Sequence, residues 1–391
     1  MLKISLPFQA CYRLKWRMAQ RDLYVDRLRG VMTAVVVLHH TAITYGASGG
    51  WFYHELRPSG ASASMLLTLF CATNQAYFMG FFFLLAGYFT PRSLERKGYG
   101  HFLCDRFLRL GLPLLAFGLI LGPLTAAMVN VAEGHGFWGT FVWLWQHREF
   151  INGPLWFVQA LLLFSLGYCA WRAVLGAPLA ADERTPRPVP AYRWWLASAL
   201  GVGAAALAIR QVIPVGVNVF GLQLAYFASY VFLFAVGIAA WRHDWLRQLS
   251  WKDARPWIVA LAIAWPCVPV SIAVATKLNG PGKSNFSGGL SWPAILYACW
   301  EPFVAWGLIA GWILIFREHM NGASGFWAWI NRRAYAVYII HPLVVVGVAL
   351  LLHAWVAPAL VKFGVTGLMA CVVSWLLADP LVRLPGVRSV V

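Results

Sequence analysis

Apolar runs of eighteen residues or more recur along this 391-residue chain, each long enough to cross a hydrocarbon core of about 30 Å as a helix. Lipid offers no partner to a backbone N–H or C=O, so runs of this kind fold as helices that satisfy their own backbone. Spans are expected at roughly 30–47, 62–90, 110–131, 153–172, 194–210, 220–240, 256–275, 291–316, 334–353 and 362–382. The expected fold class is therefore all-α: a polytopic integral membrane protein of about ten transmembrane helices. Composition excludes a soluble globular enzyme, because 60% of the residues are hydrophobic and only 12% are charged, against about 25% charged in soluble domains.

The net charge of +17 raises the question of a nucleic-acid partner, and the placement of the basic residues answers it. With the N-terminus assigned to the cytoplasm, 25 of the 31 Lys and Arg fall in inner segments and 6 in outer ones. That is the positive-inside asymmetry of a membrane protein with both termini cytoplasmic, and no nucleic acid is needed to explain it. The first residues (Lys3, Arg13, Lys15, Arg17, Arg21) are basic without a continuous apolar core, so the first span is expected to act as its own insertion signal. The expected organisation is a basic cytoplasmic segment at 1–22, a membrane domain at 23–382 and a short cytoplasmic tail at 383–391. The longest connection, near 172–193 (Asp182, Glu183, Thr185, Pro186, Pro188, Pro190), is short and turn-forming, which leaves the chemistry among the helices. Seven cysteines form no Cys-x-x-Cys pair and sit mostly in apolar runs, so neither a disulfide framework nor a structural zinc is expected.

Ionisable side chains inside a bilayer are costly, and four stand out: His39, His40, Glu301 and His341. Arg29 and His40 are eleven positions apart, three turns plus about 20°, so they share one helix face with a rise of roughly 16 Å between them. His39 points about 80° off that line, where it either faces a polar helix contact or shares the site. His341 lies roughly 12 Å in from Arg333, not far from the level of His40, so the two histidines either line one cavity or His341 fills the carbonyl freed by Pro342. Glu301 lies about 15 Å below Ser291 at the outer end of its helix. It either pairs with an arginine, stays protonated or accepts a hydrogen bond from an incoming hydroxyl. Arg106 and Arg109, three apart, are helical neighbours whose guanidinium forks suit phosphate oxygens, or they are ordinary positive-inside charge. Trp156 and Asn152 form either a stacking and hydrogen-bonding floor for a sugar or, with Trp138, Trp143 and Trp145, part of an interfacial aromatic belt.

The segment Asp26-Arg27-Leu28-Arg29-Gly30 running into His39-His40 resembles the acyltransferase 3 family of membrane O-acyltransferases, whose first helix carries an Arg-x10-His motif, here Arg29 and His40. Four further stretches are similar to the same family. They are Phe81-Phe82-Phe83-Leu84-Leu85-Ala86-Gly87-Tyr88-Phe89, with Ala86 where Ser is common, Arg106-Phe107-Leu108-Arg109, Gly153-Pro154-Leu155-Trp156-Phe157, and Tyr335-Ala336-Val337-Tyr338-Ile339-Ile340-His341-Pro342. The resemblance implies transfer of an acyl group from cytosolic acyl-CoA, acetyl-CoA or succinyl-CoA, to a hydroxyl of an extracytoplasmic carbohydrate, across the lipid bilayer of a bacterial inner membrane and without a metal. It implies that Arg29, Arg106 and Arg109 hold the CoA head group and that His40 is the general base, for which neutral imidazole at pH 7 is suited. Glu301 and His341 are expected in the catalytic cavity, with His39, Asn152 and Trp156 towards the acceptor. An acyl-histidine intermediate is an alternative route. Two rivals stand beside this reading: a proton-coupled transporter or exporter using His40, Glu301 and His341 as a relay, and an accessory membrane protein that does not need His40.

Overall fold

The computed structural model describes residues 22–55, 60–176, 184–280, 284–388 and 390. Lys3, Arg13, Lys15, Arg17, Arg21, Asp182 and Glu183, named above, lie outside the described residues, as do Arg57 and Lys283, two of the six outer charges counted there. Among the described residues there is no β-strand, only helices and their connections. These are α1 (Leu23–Thr44), α2 (Ala61–Arg106), α3 (Gly122–Ala132), α4 (Phe137–Gln146), α5 (Trp156–Val174), α6 (Tyr192–Val212), α7 (Phe227–His243), α8 (Trp251–Ala264), α9 (Cys267–Asn279), α10 (Trp292–His319), α11 (Gly325–Leu351) and α12 (Ala359–Leu381).

Eight helical stretches among the described residues are long and apolar enough to cross a membrane, and the protein is an all-α polytopic membrane protein. The difference from ten has two physical causes. First, α1 carries Asp26, Arg27, Arg29, His39 and His40 in 22 residues, which lowers its hydropathy although it is fully helical. Second, α2, two π-helical turns (Phe107–Gly111 and Phe117–Leu121) with Leu112–Ala116 between them, and α3 follow one another with no intervening loop, from Ser62 to Ala132. That stretch is not straight. Gly98 at φ 71°, ψ 169° breaks α2, a backbone state essentially restricted to glycine. Arg106 then reaches back to Ser93 Oγ at 3.3 Å, whereas thirteen residues of straight helix would separate them by about 20 Å.

Small residues set the closest helix approaches, as expected where lipid supplies no hydrophobic drive for association. A Cβ on Gly87 would strike the carbonyl of Phe234, and one on Gly237 the carbonyl of Leu84, so α2 and α7 meet backbone to backbone. Gly30 and Gly367 likewise admit Asn331 of α11 and Leu38 of α1. The central core gathers Phe81, Phe83, Tyr88, Tyr230, Leu233, Trp306 and Tyr338, while Val37, Val337, Val345 and Trp375 join α1, α11 and α12. Leu163, Ile263, Leu368 and Leu376 stay exposed on the outside of the bundle, the face a lipid solvent requires. In α4 no residue is buried, and Trp138, Trp143 and Trp145 are all exposed, which suits an interfacial helix.

Candidate functional site

Prolines inside the helices explain much of the site. A proline at position i leaves the carbonyl at i−4 without its helical donor, and within a membrane another group must supply one. Pro342 deprives Tyr338 O, and His341 Nδ1 lies 2.7 Å from it. The Tyr335 hydroxyl donates to Arg109 O at 2.6 Å and Trp145 Nε1 to Leu119 O at 3.0 Å, both carbonyls in π-helical turns that precede a proline. In the second turn bonds run to i−5, so Pro123 deprives Gly118 O, which accepts from Ile151 N–H at 3.1 Å. The Tyr338 hydroxyl in turn donates to Pro154 O, so the Tyr335–Pro342 and Gly153–Phe157 motifs are locked together.

The carbonyl that holds His341 also fixes its chemistry. A carbonyl only accepts, so His341 Nδ1 carries the proton and the neutral ring presents a lone pair at Nε2. His40 Nδ1 lies 3.0 Å from that Nε2 and must therefore be the donor. It follows that neutral His40 keeps a lone pair at Nε2. His341 is completely buried and His40 partly so, and the two rings stack at 5.1 Å between centroids. His341 therefore fills the carbonyl freed by Pro342 with one ring nitrogen and meets His40 with the other. His39 is buried against Phe78 at 4.9 Å, edge-on to His40, and its Nδ1 has no partner among the described residues.

Trp51 covers His40 with its indole parallel to the imidazole, 3.9 Å between centroids and 11° between planes. Sequence reasoning passed over this residue as part of a loop. The local signal was the run Ala47-Ser48-Gly49-Gly50-Trp51-Phe52 just after the histidine helix. Gly46 and Gly49 take positive φ, and Glu55 N–H returns to Thr44 O at 2.9 Å, closing a loop that folds Trp51 back onto α1.

Glu301 is not held by either histidine. It pairs with Arg210, Nη2 to Oε2, at 2.5 Å, and Arg210 also donates to Ala225 O at 3.2 Å. The guanidinium lies over the rings of Tyr226 and Tyr297 at 5.2 and 5.4 Å. Arg210, at the end of an apolar run, is one of the six basic residues that the charge count puts in outer segments, but it is 1% exposed. Arg210, Glu301, Gln75, Ser229 and Tyr230 surround a small cavity with space for about one water. Tyr230 stacks on Trp156 at 5.6 Å. The Asn152 amide donates to Gln159 Oε1 at 2.8 Å, so Asn152 and Trp156 lie near each other and near the Glu301 cluster rather than on the histidine pair.

The three arginines occupy the opposite end of α1 from Trp51. Arg29 and Arg109 have side chains about half exposed, facing Asp26 at 4.0 Å and Asp105 at 3.1 Å respectively. Both guanidiniums are within electrostatic reach of Tyr335. Arg106 is folded into the hairpin over Phe102 at 4.8 Å, with its Nε buried and without an acceptor among the described residues. No group of three or more His, Cys, Asp or Glu among the described residues is placed to hold a metal ion.

A histidine pair is thus held inside a membrane-spanning bundle, with Arg29 displayed at the far end of the helix that carries His40. The acyltransferase 3 family model, described as an acyltransferase domain, matches residues 22–379, and the chain belongs to that family. Together with its apolar helices, this makes it a multi-pass membrane protein of that family. The chain is similar to glucans biosynthesis protein C of Salmonella typhi and of Salmonella typhimurium, 24% identical over 263 residues in each case. It is also similar to that of Salmonella gallinarum, 24% identical over 262 residues. Each alignment spans 63% of this chain and 65% of the relative. No solved structure matches significantly.

Proposed function

We propose that the protein transfers an acetyl or succinyl group from cytosolic acyl-CoA to a hydroxyl of an extracytoplasmic glycan in a bacterial inner membrane, with His40 as general base. The observation that carries this reading is the hydrogen-bond order Tyr338 O, His341, His40, which leaves a lone pair at His40 Nε2. His40 Nε2 takes the proton of the acceptor hydroxyl as its oxygen attacks the thioester carbonyl carbon. His341 Nε2 accepts from the resulting imidazolium and steadies it, as a triad's third member does. The tetrahedral adduct collapses, the C–S bond breaks, and CoA thiolate takes the proton back from His40. The products are an ester and CoA–SH, with His40 restored.

Arg29 and Arg109 are the displayed phosphate ligands, and Arg106 holds the hairpin that presents Arg109 while offering its own Nε. The roughly 16 Å from Arg29 to His40 is a distance that an extended pantetheine arm covers. The acceptor approaches from the Trp51 end, past Trp156, with Asn152 holding the neighbouring loop and His39 lining the wall. Glu301, in its pair with Arg210, fixes α6 against α10 beside that path. The relay of a proton-coupled transporter would run through Glu301, and the salt bridge to Arg210 counts against it.

The test is ligand-dependent stability together with product analysis. A ligand present at a hundred times its Kd stabilises the native state by about 2.7 kcal/mol. CoA, acetyl-CoA and succinyl-CoA are each expected to raise the melting temperature of the purified protein. Incubation of the effective donor with periplasmic glucan is expected to yield an acylated glucan by mass spectrometry. No stabilisation by any of the three and no acylated product would refute the proposal.

A further inference from the structure

The loop between α1 and α2 is built more firmly than a connection needs to be. Its stem is closed by Glu55 N–H on Thr44 O at 2.9 Å. A buried ion pair, Lys362 Nζ to Glu55 at 2.7 Å, ties it to α12, and the side chains of both partners are less than 5% exposed. The Phe52 ring packs on Gly153, where a Cβ would collide with it. These anchors hold Trp51 flat on His40. Stacking accounts for the ring, but it does not account for the indole N–H. Trp51 Nε1 is buried and has no acceptor among the described residues. An indole nitrogen can only donate, and a buried donor left unpaired is rare in native structures unless a water or a ligand completes it.

We propose that Trp51 is a further catalytic residue, whose indole N–H donates to the thioester carbonyl oxygen of the acyl donor and stabilises the oxyanion formed there. This deepens the His40 reading and rests on it. As the acceptor oxygen bonds to the carbonyl carbon, the C=O π pair moves onto oxygen, where the Trp51 N–H meets it. The pair returns as the C–S bond breaks, and the thiolate leaves with the proton from His40. A donor fixed before the reaction needs no reorganisation during it, which is what makes such hydrogen bonds effective. The aromatic plane that carries the N–H also holds the His40 ring in place, so base and oxyanion donor share one rigid stack.

The experiment compares steady-state thiol release by wild type, Trp51→Phe and His40→Ala, with acyl-CoA and glucan both varied. Trp51→Phe keeps an aromatic face and loses the N–H. Its kcat is expected to fall about 10²- to 10³-fold, the usual loss for one oxyanion donor, with KM for acyl-CoA within about threefold and CoA-dependent thermal stabilisation unchanged. Should Trp51→Phe fold poorly, β-(3-benzothienyl)alanine at position 51, with sulfur in place of N–H, gives the same comparison with the ring size kept. A kcat equal to wild type in either variant overturns the Trp51 proposal. If His40→Ala is inactive in that same series, the His40 reading stands alone. Full activity in His40→Ala, or no turnover by the wild type, overturns both.

Discussion

Neutralising Glu301 tests whether its cluster is an anchor or part of the reaction. Arg210 is 1% exposed and Glu301 7%, so Glu301→Gln leaves a buried guanidinium without its counter-charge. Removing one partner of a buried pair costs about 3–5 kcal/mol, while replacing both by apolar groups of similar volume is often neutral. Two features place Glu301→Gln at the lower end of that range, near ~3 kcal/mol. The Tyr226 and Tyr297 rings still face the cation, and Ala225 O still accepts from it. The double variant Arg210→Met with Glu301→Leu is expected within about 1–2 kcal/mol of wild type, less than the cost of Glu301→Gln alone. Unfolding in mixed micelles, followed by tryptophan fluorescence, supplies the free energies. Acyl transfer per folded molecule is expected to change little in the double variant. Single variants as stable as wild type but inactive would refute the reasoning and return Glu301 to the reaction itself.

Other perturbations read other links. Gly98→Ala meets no atom within 4 Å of its new Cβ, so its cost is backbone strain alone, about 1–3 kcal/mol, measurable by the same unfolding assay. Pro342→Ala returns a helical N–H to Tyr338 O, which then competes with His341 Nδ1 for that carbonyl. Stability is expected to hold or rise while kcat falls about tenfold or more, since a misassigned tautomer costs up to about 10⁴ in a related dyad. Arg29→Ala with Arg109→Ala is expected to raise KM for acyl-CoA by about tenfold or more and leave kcat nearly unchanged. The loss should be smaller at high salt, because both side chains are exposed and screened.

The histidine pair was legible because helical rise is constant: counting residues from Arg29 and Arg333 put His40 and His341 at comparable depths, and they meet at 3.0 Å. The helical class was legible for the same kind of reason, since apolar length needs no tertiary knowledge. Arg210 was not, because a span is drawn where apolarity stops, and a buried arginine in a last turn looks like loop charge until Glu301 is seen beside it. Nor was Trp51, whose place depends on positive φ at Gly46 and Gly49 and on a lysine more than 300 residues away. Arg106 illustrates the limit of spacing arguments. Three positions from Arg109, it was expected to share its surroundings, but the reversal at Gly98 folds it over Phe102 and Ser93.

The most direct test of the account is single-turnover acyl transfer by the purified protein in lipid nanodiscs, wild type against His40→Ala, at saturating acyl-CoA and glucan. The account predicts that His40→Ala still binds acyl-CoA, as its thermal stabilisation reports, and that its rate of ester formation falls by about 10²- to 10⁴-fold, the contribution of a positioned general base. Ester formation at the wild-type rate in His40→Ala would contradict it.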